Sequence, residues 1–212
     1  MSEIVPIFPL NIVLLPRMPL PLHIFEERYK KLIADCESNG KQFGVVPMMG
    51  TRMCNSGCLA EIERIIQRYE DGRSDILTFG TQRFTIQHIH HAREYLEAEI
   101  EHYTDTPPAA EEDVESLVTR GREVLLQFAE TLGQTINQKA LTRIGAEDLS
   151  FLLGSTEVFN HRDKHAFLQM RSSTQRLRNV LPVLEESIRT RHSRRNLKKM
   201  LGDSVDLDNL FN

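Results

Sequence analysis

Two cysteines and two histidines fall at spacings that could hold a metal, Cys54-x-x-x-Cys58 and His161-x-x-x-His165. Thiolate sulfur and neutral imidazole are the ligands of a tetrahedral zinc. The two pairs lie in different halves of the chain, so a shared site would need a tertiary coincidence. They are expected instead as free thiols and as solvated or capping histidines, with no metal and no cofactor. His88-Ile89-His90 puts two imidazoles on one face of a strand, with His91 at its end, and reads as a surface or hydrogen-bonded feature. Nucleotide and acyl-transfer chemistry lack their motifs. There is no G-x-x-x-x-G-K-[ST] loop and no G-x-S-x-G elbow, and Ser155 in LGST follows glycine without a His partner that the sequence reveals. The expectation is a chain that is not an enzyme. An enzyme of unrecognised kind is the alternative, and its sign would be paired carboxylates of raised pKa in a cleft, which a sequence does not display.

Two further groups suggest binding. Met48, Met49 and Met53 in PMMGTRM follow an apolar run and sit among Gly and polar residues. Thioethers are flexible and polarizable, so a loop of them can repack around varied apolar side chains. Together with Met18 and Leu20 near the first bends, these residues form a candidate site for unfolded or extended polypeptide. The competing reading is that the methionines plug one end of a barrel. The stretch RTRHSRRNLKK carries Arg189, Arg191, Arg194, Arg195, Lys198 and Lys199, which could neutralise phosphates of a nucleic acid. No aromatic residue interleaves them to stack on bases, so a solvated helix end is the simpler reading. The terminal DSVDLDNLF, Asp203 to Phe211, alternates acids with apolar residues and reads as a loose end, with a docking peptide as the alternative.

The elements that would position these groups can be read from patterning. From Ile4 to Tyr29 five prolines (Pro6, Pro9, Pro16, Pro19 and Pro21) chop an apolar run into short extended pieces joined by bends, the makings of a small irregular barrel. Phe25, Tyr29, Leu32, Ile33 and Cys36 then follow a helical stripe that Gly40 can end. Phe43–Pro47 reads as a buried strand, the segment from Cys58 as a half-buried one, and Asp71-Gly72 as a hairpin turn. Ile76–Phe79, Arg83–Ile89 and Tyr95–Tyr103 add three more strands. After the linker TDTPPAA, three acids precede a helix whose apolar face runs from Val114 to Leu132 and which Gly133 can cap. A second helical piece carries Leu149, Leu152 and Leu153. A third lines up Leu177, Val180, Leu181, Leu184 and Ile188, and Pro182 within it predicts a kink or a break. The division expected is a β-rich part over 1–105, a helical part over 106–201 and a tail over 202–212.

Hydrophobic residues make up 40% of the 212 and charged residues 26%, which places the chain among soluble globular proteins and away from disordered ones. The net charge of −4 gives no bulk attraction to nucleic acid, although eleven Lys or Arg stand against three acids between Asn160 and Leu201. Glu3, the missing basic n-region and the prolines argue against a signal peptide, and no apolar run is long enough to span a bilayer. A cytoplasmic protein with reduced thiols and no membrane partner is the expectation.

The wording FPLNIVLLPRMPLPLHIFEERY resembles the opening of the substrate-binding, N-terminal domain of the Lon proteases, the LON domain. GVV at Gly44–Val46, YEDGRSDILTFGTQRFTI at Tyr69–Ile86, YLEAEIEHY at Tyr95–Tyr103 and LQMRSSTQRLRNVLPVL at Leu168–Leu184 follow in the family's order. Arg17 stands where the family tends to have Gly, and Glu27 where Pro is common. The resemblance implies an α+β fold, a PUA-like β barrel or folded sheet with one inserted helix, followed by a C-terminal helical bundle. It also implies a stand-alone, ATP-independent protein that binds polypeptide, an adaptor or chaperone-like factor linked to proteolysis, with a protease or chaperone as partner.

Overall fold

A run of short strands punctuated by proline can pair only where the missing amides are not needed, and this rule shapes the strand layer. The computed structural model describes the backbone of residues 3–201 and the side chains of residues 3–195. Its strands are β1 (Glu3–Leu10), β2 (Pro19–Ile24), β3 (Phe43–Met49), β4 (Arg52–Met53), β5 (Ser56–Arg68), β6 (Ser74–His90) and β7 (Glu97–His102). Helix α1 (Glu27–Asn39) is inserted between β2 and β3. The pairing order is β1-β7-β6-β5-β3-β4, and β1 also pairs in parallel with β3, so β1, β7, β6, β5 and β3 close into a ring. Inside it pack Val5, Ile7, Val46, Leu59, Phe84, Ala98 and Ile100. A Cβ on Gly44 or Gly57 would stand 2.6 or 2.7 Å from the Phe84 ring, so both positions give this core its largest side chain.

Strand β2 adds to β6 outside the ring, with Pro19 opposite Phe79 and Leu20 opposite Thr78. Gly80 N–H donates to the Met18 carbonyl, which sets the phase of the ladder. Residues 20, 22 and 24 therefore aim their amides at β6, and Pro19 and Pro21 occupy the positions whose amides would point away. The prolines remove no ladder bond and leave the outer edge short of donors, which blunts it against added strands. Just before β2, Met18 N–H donates to the Leu15 carbonyl across Pro16 and Arg17, the pattern of a type II turn. Arg17 has φ 65°, and it is the one non-glycine with positive φ among the described residues. The departure from the family's Gly thus falls where the backbone asks for Gly.

Several expectations need amending. Phe25 is not on the helical stripe. It precedes the N-cap Glu26 and is 58% exposed, while Tyr29, Leu32, Ile33 and Cys36 are buried as the period implies and Gly40 (φ 59°) ends α1. Ile76–Phe79 and Arg83–Ile89 are parts of one strand, β6. Gly80 does not punctuate it; its missing Cβ admits the Leu15 carbonyl, which would otherwise be 2.3 Å away.

The remaining helices are α2 (Val114–Thr131), α3 (Gln138–Leu141), α4 (Ala146–Gly154), α5 (His161–Gln169) and α6 (Ser173–Leu201). By contacts the chain divides into two units, Met1–Pro107 with Gly154–Ser172 and Pro108–Leu153 with Ser173–Asn212. Segment 154–172, assigned from sequence to the helical part, lies with the strands. In the second unit Asp113 caps α2 by accepting from Ser116 N–H. Val124, Leu125 and Phe128 of α2 and Leu177, Val180, Leu181, Leu184 and Ile188 of α6 are buried, and Arg120 clamps Glu185 at 2.6 and 2.7 Å. Helix α6 runs unbroken through Pro182, which is exposed. No helix among the described residues is long and apolar enough to cross a membrane.

Candidate functional site

Helix α5 is short; a capping box fixes its start, and two sets of polar contacts hold it on the strand region of the first unit. At its start Asn160 accepts from the amides of Arg162 and Asp163 while Asp163 accepts from the Asn160 amide, a reciprocal capping box. In its middle His165 Nε2 lies 2.9 Å from Ser56 Oγ, and Cys54 Sγ lies 4.0 Å from His165 Nδ1. At its end the buried Arg83 of β6 donates to the carbonyls of Leu168 (3.0 Å) and Met170 (2.6 Å) and pairs with Asp105 at 2.5 Å. Tyr103 donates to the same Leu168 carbonyl at 2.9 Å and lays its ring 4.8 Å from the Arg83 guanidinium. An arginine with 2% of its side chain exposed is tolerable only because these acceptors replace its water.

Between the start of α5 and the tip of the β3–β4 hairpin runs an open groove of about 860 Å³, lined by Met49, Gly50, Glu157, Phe159, His161 and Lys164, with Asn160 and Arg162. Phe159 is braced edge-on against Phe167. Arg52 pairs with Met49 across the hairpin, which sets its side chain on the same face. Burial pushes the Lys164 amine down, opposed by Glu157, and burial likewise holds the His165 imidazole below its usual range. A second hollow of about 310 Å³ opens beside Ser56, lined also by Asn55, Thr85, Glu101, His102, Tyr103, Gln169 and Arg171.

The residues singled out from sequence are distributed unevenly over this geometry. Met49 lines the groove, Met48 is half-buried opposite Met53, and Met53 packs on the barrel core. Met18 is half-buried. Leu20 is a correction: at 5% exposure it faces inward opposite Thr78, because alternation along β2 turns it to the core, and it is not available to a ligand. Of the four candidate zinc ligands only Cys54 and His165 approach each other. Cys58 is buried with its thiol directed at the Leu59 carbonyl, burial pushes it up to about 12, and His161 is exposed on the groove. Among the described residues no group of three or more His, Cys, Asp or Glu could hold a metal. His88 and His90 share a face with ring centroids 5.9 Å apart. In the basic stretch Arg189 pairs with Glu186 and Arg191 lies 5.2 Å from the Phe128 ring. The side chains of Lys198 and Lys199 and the tail 202–212 lie outside the described residues. Sequence reasoning missed α5, Arg83 and the cations of the groove; the Asn160-x-x-Asp163 spacing was the signal that could have marked the helix start.

Residues 4–186 match the family of the ATP-dependent protease La (LON) substrate-binding domain. The chain is 27% identical over 143 residues to the Lon protease of Porphyromonas gingivalis, covering 62% of this chain and 17% of that protein, so it spans under a fifth of that relative's length. Its fold is similar to the Lon N-terminal domain protein from Xanthomonas campestris, with TM-score 0.66 and 24% identity over 85% of this chain and 98% of that one. It is also similar to the N-terminal domain of the Mycobacterium avium complex Lon protease, with TM-score 0.68 and 18% identity over 86% of this chain and 98% of the other.

Proposed function

Because the chain belongs to the Lon substrate-binding domain family, we propose that it works by holding extended or unfolded polypeptide in the groove between the β3–β4 hairpin and α5, as an adaptor or chaperone-like factor linked to proteolysis. The carrying observation is the groove itself, about 860 Å³ with Met49 at its lip and Phe159 in its wall. A volume of this order admits several side chains of an extended segment, and the thioether can follow their shape. Helix α5, capped at its start and held at its middle and end, supplies a rigid wall, and rigidity on the receiving side lowers the ordering cost of binding.

The test is binding of a fluorescently labelled, permanently unfolded reporter protein to wild type and to Met49→Ser. Met49 lines the groove and is half-buried, so the variant should weaken binding by about tenfold, the worth of one buried apolar side chain, with a melting curve shifted by no more than a few degrees. Equal affinity for the two proteins would remove the groove from the account. Met53→Ser is the contrasting control, because Met53 rests on the barrel core and its loss should lower stability first.

A further inference from the structure

Seven cations of the strand-bearing unit are matched to carboxylates. Arg28 pairs with Glu26 (2.7 Å), Lys30 with Glu27 (2.8 Å), Lys31 with Asp35 (3.2 Å), Arg68 with Glu37 (2.7 Å), Arg73 with Asp71 (2.7 Å) and Arg93 with Glu97 (3.2 Å). Arg83 has Asp105. The cations at the groove are not so matched, nor are Lys41 and Arg64 elsewhere in the unit. Arg52, and Arg162 and Lys164 on α5, form no ion pair with any carboxylate among the described residues; Arg162 and Lys164 line the groove, and Arg52 stands opposite Met49 on the hairpin at its lip. The acids nearby do not compensate them. Asp163 spends its carboxylate on the Asn160 amide, and Glu157 is a single charge among three.

Lys164 is the telling member. It is half-buried, and burial disfavours its charged form, with Glu157 alone acting against that. An ammonium withdrawn from water without a partner is a standing cost that a ligand carboxylate would relieve. The wall beside it is apolar, since Met49 and Phe159 face the same space. We infer that the groove selects polypeptide segments in which an apolar side chain is flanked by Asp or Glu, the apolar group seated against Met49 and Phe159 and the carboxylates taken by Lys164, Arg162 and Arg52. This rests on the polypeptide-binding reading and adds to it a preference for acidic segments. A single-stranded nucleic acid would also bring anions, but the 6% of Phe159 that is exposed is enough for an apolar side chain seated on Met49 to touch and too little for a base to stack on.

The experiment uses three labelled ten-residue peptides with the same apolar centre, flanked by Glu, by Gln or by Lys, and a labelled single-stranded oligonucleotide. Each is titrated by fluorescence anisotropy against the full chain and against the double variant Arg162→Gln, Lys164→Gln, with thermal melts confirming that the variant is folded. The Glu peptide should bind about tenfold tighter than the Gln peptide, as a charge-assisted bond at a partly exposed site allows. That advantage should vanish in the double variant, which should bind the Glu and Gln peptides alike, and Glu157→Gln should tighten the Glu peptide. Equal affinities for the Glu and Gln peptides overturn the acidic preference and leave polypeptide binding standing. A preference that survives in the double variant places the recognition elsewhere and overturns the assignment. Binding of the oligonucleotide with no binding of any peptide overturns the inference together with the reading beneath it.

Discussion

Removing the carboxylate of Asp105 should be the most damaging single change at a polar residue of the strand-bearing unit. Arg83 has 2% of its side chain exposed and Asp105 10%, and they meet at 2.5 Å. Stripping one partner from a buried pair strands the other charge, at a typical cost of about 3–5 kcal/mol. Arg83 keeps two carbonyl acceptors at Leu168 and Met170, which argues for the lower end. For Asp105→Ala we expect about 3 kcal/mol, equivalent to a fall in melting temperature of about 6–12 °C for a chain of this size. Urea is the denaturant of choice, since guanidinium would screen the pair. The companion Arg83→Met removes the charge itself, and the double variant Asp105→Ala, Arg83→Met should recover about 2 kcal/mol of the summed losses. Because those carbonyls end α5, amide exchange from Ala166 to Met170 should quicken in Asp105→Ala before the rest of the barrel opens. Additive single losses, or a cost for Asp105→Ala under about 1 kcal/mol, would show that the pair is no anchor and that α5 is held by something else.

Two other expectations concern stability. At Arg17 (φ 65°) the left-handed backbone costs a non-glycine residue about 1–2 kcal/mol. Arg17→Gly should therefore be about 1 kcal/mol more stable than Arg17→Ala by urea denaturation, with Arg17→Val worse than either. His165 carries a pH signature. Burial lowers its folded pKa, so the neutral ring bonded to Ser56 contributes stability that is full above the ordinary imidazole value near 6.5 and is lost as pH falls through the lowered one. Subtracting the stability curve of His165→Gln from that of wild type should expose this loss on the acid side, and a flat difference would contradict it.

Much of the strand-bearing unit could be read in one dimension, and its exceptions are instructive. Tyr29, Leu32, Ile33 and Cys36 kept their helical period because each buries against the barrel, whereas Phe25 matched the same spacing by accident. It continues the outward alternation of Pro19, Pro21 and His23 from β2 and ends exposed. Gly80 looked like punctuation because its reason, the nearby Leu15 carbonyl, comes from another segment. Helix α5 escaped because its nine residues bury only Phe167 and Leu168, too little for a period to show. Pro182 suggested a break in α6 that the packing of Leu181, Leu184 and Ile188 overrides.

Order along the chain decided by itself what depends on near neighbours: where strands alternate, where Gly40 and Gly133 stop helices, where Asp71-Gly72 turns, and that no phosphate loop or nucleophile elbow is written into these residues. The groove belongs to another class of fact. Arg52, Arg162 and Lys164 become a charged rim, and Arg83 becomes a buried clasp, only after β1 pairs with β3 and α5 settles on β5. Electrostatic and packing energies depend on separation and solvent exposure in space, and both quantities come into being when distant segments close on one another.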